Sequence, residues 1–128
     1  MSRHLGPVIF QRHDGSVKPL ARMALSPKEK PDRLAEAEIQ HLIHAQPGLI
    51  PMGEIEPAFA DMVSVCMELP LQAGFLDNLW MTPYGGIVIG ECKLFRNPQA
   101  RREVVAQALD YARSLQAMSY EDFQSAIA

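Results

Sequence analysis

The chain has 128 residues, 48% of them hydrophobic and 21% charged, and its 12 basic and 15 acidic residues give a net charge of -3. These values are ordinary for one globular domain, and they exclude a disordered chain, a collagen-like repeat and a disulfide-rich mini-protein. They also exclude nucleic-acid binding by bulk positive charge, although an acidic site that binds cations is compatible with this balance.

No membrane segment is expected, because charges interrupt the apolar runs well short of the ~18–20 residues that a membrane span needs. No export signal is visible near the N-terminus. Cys66 and Cys92 both lie inside apolar runs, as reduced core thiols usually do. We therefore expect a cytoplasmic protein.

Residues 1–31 are predicted to form an N-terminal arm. The run from Gly6 to Pro19 predicts two short strands joined by a turn at Asp14–Gly15. Residues 26–31, rich in proline and charge, predict an exposed connector.

Residues 32–117 are predicted to form the core of the domain. Apolar residues at helical spacing predict a helix from 32 to 46, which Asp32 caps and Pro47 ends. Three strands are then predicted at 62–69, 74–81 and 86–94. The first is ended by Pro70, and the turn residues 82–86 join the other two into an antiparallel hairpin.

A second helix is predicted from Pro98 to about Gln116, with Asn97 as its cap. Ser119 followed by Asp122 predicts the start of a last short helix. Residues 118–128 thus form a helical tail, which we expect to continue in a longer parent protein. The element order predicts an α/β sandwich.

Charged residues interrupt the predicted hairpin at three places: Asp77, Glu91 and Lys93. If the hairpin closes through residues 82–86, the sequence numbers of any two directly opposed residues add up to 168. Asp77 then lies opposite Glu91. Two opposed carboxylates repel each other unless a cation lies between them, and Mg²⁺ prefers such oxygen ligands. Alternatively, Lys93 forms a salt bridge with Asp77 or Glu91, and the three residues have no catalytic role.

Asp77, followed after thirteen residues by Glu91-Cys92-Lys93, resembles the PD-(D/E)xK nuclease superfamily. Gln107 and Tyr111 are similar to the Gln-x-x-x-Tyr motif of its RecB-type members. The resemblance covers residues 33–116 and departs from the superfamily in lacking the proline before Asp77. It implies a restriction-endonuclease-like core of helix, three strands and helix, with a central mixed sheet flanked by helices. The last core strand is missing or replaced.

The resemblance also implies the roles of the site residues. Asp77, Glu91 and the Cys92 carbonyl would bind Mg²⁺ or Mn²⁺, and Lys93 would orient the attacking water or offset phosphate charge. Glu36 would complete the metal shell, whereas Glu38 is turned away from the apolar stripe of the helix. Two further residues would position the site or a phosphate, or simply form a hydrogen-bonded pair on the helix: Gln107 and Tyr111.

We therefore expect a metal-dependent nuclease acting on DNA, of the repair, restriction or mobile-element type. Arg96, Arg101 and Arg102 would contact the phosphates. The alternative is a catalytically inactive nuclease-like domain that serves as a nucleic-acid-binding or assembly module. Because an exposed sheet edge must be covered, either the N-terminal strands join the sheet or a second copy pairs with it, and we expect a homodimer.

Overall fold

A computed structural model describes residues 8–20, 32–93 and 98–128. Two single turns of 3₁₀ helix, Pro47–Leu49 and Pro57–Phe59, accompany the regular elements. In chain order, the elements are β1 (Ile9–Gln11), β2 (Val17–Pro19), α1 (Asp32–Ala45), α2 (Met52–Ile55), β3 (Val63–Leu71), β4 (Gly74–Met81), β5 (Ile87–Gly90), α3 (Pro98–Gln116) and α4 (Tyr120–Ile127). The chain is therefore a mixed α/β protein, as predicted.

The N-terminal strands β1 and β2 form an antiparallel hairpin of their own. Its turn lies at Asp14–Gly15, as predicted, and Asp14 Oδ1 accepts a hydrogen bond of 2.8 Å from the amide of Ser16. All residues of both strands are exposed. Because the hairpin does not pair with the larger sheet, the expectation that it covers an edge of that sheet is wrong. The homodimer stays a prediction.

The larger sheet has the order β3-β4-β5, and both of its strand pairs are antiparallel. The described strands contain no parallel pair, so the mixed sheet that we expected is not found in this part of the chain. Pro70 lies inside β3 instead of ending it. An edge strand tolerates proline because its outward amide has no partner to donate to. Strand β5 ends at Gly90, so residues 91–93 follow the strand instead of belonging to it.

Helices pack on both faces of this sheet. The side chain of Asn78 donates to the main chain of α1, whereas Leu79 packs with Tyr111 of α3 in the core. Because neighbouring residues of a strand point to opposite faces, α1 and α3 lie on opposite sides. The core cluster consists of four buried residues: Leu69, Leu76, Leu79 and Tyr111.

The C-terminal segment is helical, as predicted. Ser119 caps α4, and its hydroxyl accepts a hydrogen bond of 3.1 Å from the amide of Asp122. No strand follows α3 in the described residues up to Ala128, and α4 instead contacts β3. Asn97, the predicted cap of α3, lies outside the described residues. Among the residues that are described, no helix is both long and apolar enough to span a membrane.

Gly90 ends β5 where the ring of Trp80 lies against the main chain. A Cβ at Gly90 would come within 2.5 Å of Trp80 Cζ3 and 2.6 Å of Cη2. Trp80 is only 1% exposed, so its ring has no free space to move into.

We expect Gly90→Ala to lower the free energy of unfolding by about 1–3 kcal/mol, because overpacking forces a buried side chain or the backbone to shift. Chemical denaturation measures this change. Gly48→Ala is the control, since a Cβ at Gly48 meets no atom within 4 Å. Equal stability of the two variants would contradict the packing described here.

Candidate active site

The pairing between β4 and β5 has the predicted register. Asn78 pairs with Gly90 and Leu79 with Ile89, and the numbers of each pair add up to 168. Glu91 follows directly, and its carboxylate accepts a hydrogen bond from the Asp77 amide. In return, Asp77 Oδ2 accepts a hydrogen bond of 2.8 Å from the amide of Cys92. The register thus brings the two carboxylates together and ties each of them to the opposite main chain.

The environment of these carboxylates disfavours their charged forms. Burial, followed by the negative charge of Asp77, raises the pKa of Glu91 to about 7. Burial also raises the pKa of Asp77, with smaller contributions from the charges of Glu68 and Glu36, while the Cys92 amide lowers it. Glu91 Oε2 is buried and has no hydrogen-bond partner among the described residues. The site therefore places two carboxyl groups where their charged forms are disfavoured and leaves one oxygen of Glu91 without a partner.

A cleft of about 390 Å³ opens beside Asp77. This volume is in the range of small-ligand pockets. The structure places Glu36 on the cleft, whereas Glu38 is exposed and does not line it, and the role of Glu36 as a metal ligand stays a prediction. The lining residues come from α1, β3, β4 and the segment after β5: Glu36, Ala37, Gln40, His41, Glu68, Asp77 and Cys92.

Gln40 and Glu68 line this cleft and were not identified from the sequence. Gln40 Nε2 donates to Glu68 Oε1 at 2.7 Å and to the main-chain oxygen of Asp77 at 2.9 Å. Gln40 lies four residues after Glu36 on α1, a spacing that puts both on one helix face and could have indicated it. Glu68 has no comparable signal, because only the pairing of β3 with β4 places it opposite Asp77.

The remaining members of the Glu-x-Lys segment differ in their surroundings. Lys93 is exposed, and its positive charge opposes the rise in the pKa of both Asp77 and Glu91. Cys92 contacts Asp77 through its amide, and its thiol lies 3.7 Å from Asn78 Oδ1. Burial, with the charges of Asp77 and Glu91 adding to it, raises the pKa of the Cys92 thiol to about 11, so the thiol is protonated at neutral pH.

Gln107 and Tyr111 form a hydrogen-bonded pair at the start of β4. Tyr111 is 2% exposed, and its hydroxyl donates to the main-chain oxygen of Phe75 at 2.8 Å. Gln107 Nε2 donates to the same hydroxyl at 3.2 Å. Phe75 lies two residues before Asp77, so the pair attaches α3 to the strand that carries this carboxylate.

The predicted phosphate-binding arginines are described only in part. Arg101 and Arg102 are exposed in the first turn of α3. Arg96 lies outside the described residues.

The donor chemistry of the site fits a divalent cation. No group of three or more His, Cys, Asp or Glu side chains in residues 8–20, 32–93 and 98–128 is placed to hold a metal ion. Mg²⁺, however, is commonly bound by only one or two carboxylates together with water molecules. Asp77 and Glu91 are such a pair, and the buried oxygen of Glu91 still needs a partner.

No family model, curated protein or solved structure matches this chain. The function must therefore be inferred from the carboxylate pair, the cleft beside it and their chemistry.

The raised pKa of Glu91 has a consequence for the metal-free protein. Between its ordinary value of 4.5 and about 7, the folded state keeps a proton that the unfolded state releases. Stability therefore falls as the pH rises through this window, and the loss is complete above pH 7.

We expect Glu91→Gln to gain stability relative to the wild type as the pH rises from 5 to 8, because the variant has no carboxyl group to ionise there. Thermal unfolding in EDTA measures the difference at each pH. Glu103→Gln, an exposed change on α3, should keep the same difference at every pH. A flat profile for Glu91→Gln would contradict the assigned environment.

Proposed function

We propose that this protein is a metal-dependent nuclease that hydrolyses phosphodiester bonds in DNA. The main support is the carboxylate pair Asp77 and Glu91, which share a partly buried site with an unpaired oxygen and with Lys93 nearby. A structural salt-bridge cluster would pair that oxygen, whereas exposed Lys93 does not. A site for a hard cation explains why the like charges are kept together.

Asp77 and Glu91 would hold the ion, with the Cys92 carbonyl as a further ligand, and Glu36 would contact a water molecule of the ion instead of the ion itself. When bound, the metal lowers the pKa of bound water and stabilises the charge that develops on the phosphate. Lys93 orients the water or offsets phosphate charge.

The order of the core elements supports a restriction-endonuclease-like core. Helix α1 precedes the three strands, α3 follows them, and helices cover both faces of the sheet. No last strand follows α3 in the described residues, and α4 packs against β3 and the core cluster instead. The fold alone does not determine the activity, so the cleft carries the argument.

In this proposal, residues at the start of α3 and in the segment before it bind the phosphates of the DNA. A helix N-terminus attracts anions, and arginine binds phosphate oxygens with two hydrogen bonds. Arg101 and Arg102 lie in the first turn of α3, and Arg96 precedes it in the sequence. These cations would hold the DNA backbone beside the cleft.

We expect the wild type to cleave DNA in Mg²⁺ or Mn²⁺ but not in EDTA, and Asp77→Asn or Glu91→Gln to lower the rate by about 100-fold or more, as loss of a key charged group does. Linear, circular and single-stranded DNA are the substrates. Calorimetry with Mn²⁺ should show loss of binding in both variants. Lys93→Ala should lose cleavage and keep Mn²⁺ binding, because lysine does not bind the metal.

Glu103→Gln is the matched control, because it removes an exposed acidic residue on α3 and should cleave at the wild-type rate. Wild-type cleavage by Asp77→Asn would overturn the assignment of the site. Wild-type protein that binds DNA without cleaving it would favour the alternative, a catalytically inactive nucleic-acid-binding module.

We also expect DNA binding by metal-loaded protein to weaken with salt, because phosphate contacts release counterions. The double variant Arg101→Ala/Arg102→Ala should reduce the slope of log affinity against log salt by about one for each lost contact. Its Mn²⁺ affinity should not change. An unchanged slope would place the DNA backbone elsewhere.

A further inference from the structure

Gln40 connects three elements of the fold at the acidic cleft. Its side-chain amide donates one hydrogen bond to Glu68 Oε1 on β3 and another to the main-chain oxygen of Asp77 on β4. Its own main-chain oxygen accepts a hydrogen bond of 3.1 Å from Asn78 Nδ2. Gln40 is 6% exposed and Asn78 is fully buried, so the bond between them is shielded from water, whereas the two bonds from the Gln40 side chain are partly buried. Both amide hydrogens of Gln40 are thereby used.

Glu68 occupies an unfavourable position. Its φ of +54° lies in the left-handed region, which is costly for a residue with a long side chain. It also lies opposite Asp77, between the pairs Met67–Asn78 and Leu69–Leu76, and its charge raises the pKa of Asp77 and Glu91. The hydrogen bond from Gln40 keeps the Glu68 carboxylate in the cleft against this repulsion.

A purely structural contact between helix and sheet does not require this arrangement. An apolar side chain at the buried position of Gln40 would pack α1 on the sheet and would leave Glu68 free to turn into solvent. With glutamine at this position, the same nitrogen, Gln40 Nε2, donates to the main-chain oxygen of Asp77 and to the carboxylate of Glu68, and this favours a single arrangement of the two groups.

We propose that Gln40 is a positioning residue of the acidic cleft, which holds the Asp77 main chain and the Glu68 carboxylate at a fixed separation. The proposal rests on the metal-dependent function proposed above. Hydrogen bonds that orient metal-binding groups change affinity or activity by about 10–100-fold when they are removed. Gln40 acts through Asp77 and Glu68 and does not itself touch the reacting groups.

The test compares Gln40→Met, which keeps the length of the side chain and removes both donors, with Thr82→Val. Thr82 is also buried, at 5% exposure, and its hydroxyl accepts a hydrogen bond of 2.9 Å from the Gly86 amide at the hairpin turn. Gln40→Met loses two partly buried hydrogen bonds and Thr82→Val loses one, but of these two residues only Gln40 lines the cleft. The measurements are Mn²⁺ affinity by calorimetry, kcat and KM for DNA cleavage, and Tm in EDTA.

We expect Gln40→Met to raise the Kd for Mn²⁺ and to lower kcat by about 10-fold or more, with KM for DNA unchanged. Thr82→Val should lower Tm while its Kd and kcat equal those of the wild type. Glu68→Gln changes only an exposed side chain, and it should also weaken Mn²⁺ binding because the positioned charge is gone. When Glu68→Gln is already present, Gln40→Met should raise the Kd for Mn²⁺ by a smaller factor than it does in the wild type.

Three results would overturn the proposal. In the first, Gln40→Met folds with the same Mn²⁺ affinity and kcat as Thr82→Val, in which case Gln40 has only a structural role. The proposed nuclease function would still stand in that case if Asp77→Asn loses Mn²⁺ binding. If Gln40→Met does not fold, Glu68→Gln provides the test, and the proposal is wrong if this variant binds Mn²⁺ as tightly as the wild type does. If the wild type neither binds Mn²⁺ nor cleaves DNA, both proposals are wrong.

Discussion

The register of the β4–β5 hairpin is the constraint on which the site depends. A slip of one residue would turn Glu91 to the other face of the sheet and away from Asp77. The main chain of the turn fixes this register, because the Thr82 amide donates to the Gly86 main-chain oxygen at 2.8 Å and Gly85 adopts a φ of +83°, and neither feature involves the Thr82 side chain. The ring of Trp80 also lies so close to the main chain of Gly90 that a side chain there would disturb the end of β5. The carboxylates therefore meet because of residues that have no role in chemistry.

This arrangement is costly for the metal-free protein. Partial burial and like charges raise the pKa values of both Asp77 and Glu91, and two main-chain amides offset only part of the cost. The charge of Lys93 offsets a further part, but Lys93 is exposed and the buried oxygen of Glu91 has no hydrogen-bond partner among the described residues. Unfavourable electrostatics and backbone strain, here at Glu68, often occur together at functional sites. The unfavourable free energy of keeping these two carboxylates close together therefore favours a positively charged ligand over a salt-bridge cluster that only stabilises the fold.

Local sequence signals predicted much of the fold, and tertiary packing determined the rest. Strand β4 and helix α3 begin and end as predicted, because turn residues and a proline at the first helical position mark them. The sequence could not show that β5 ends at Gly90, since apolar residues recur beyond Glu91, at Cys92 and Leu94. Nor could it show the left-handed φ of Glu68, because glutamate has no preference for that conformation and only its neighbours in the fold impose it.

Helix α1 belongs to the candidate site as much as the hairpin does. Glu36 and Gln40 lie one turn apart on its surface, so any shift of the helix moves an acidic group and an amide of the cleft together. The bonds of Gln40 to β3 and β4 oppose such a shift. Groups held by helices and strands keep their separation better than groups on loops, and metal binding requires separations that are kept within fractions of an ångström. The buried amide of Gln40 thus links the packing of α1 on the sheet to the geometry of the carboxylates.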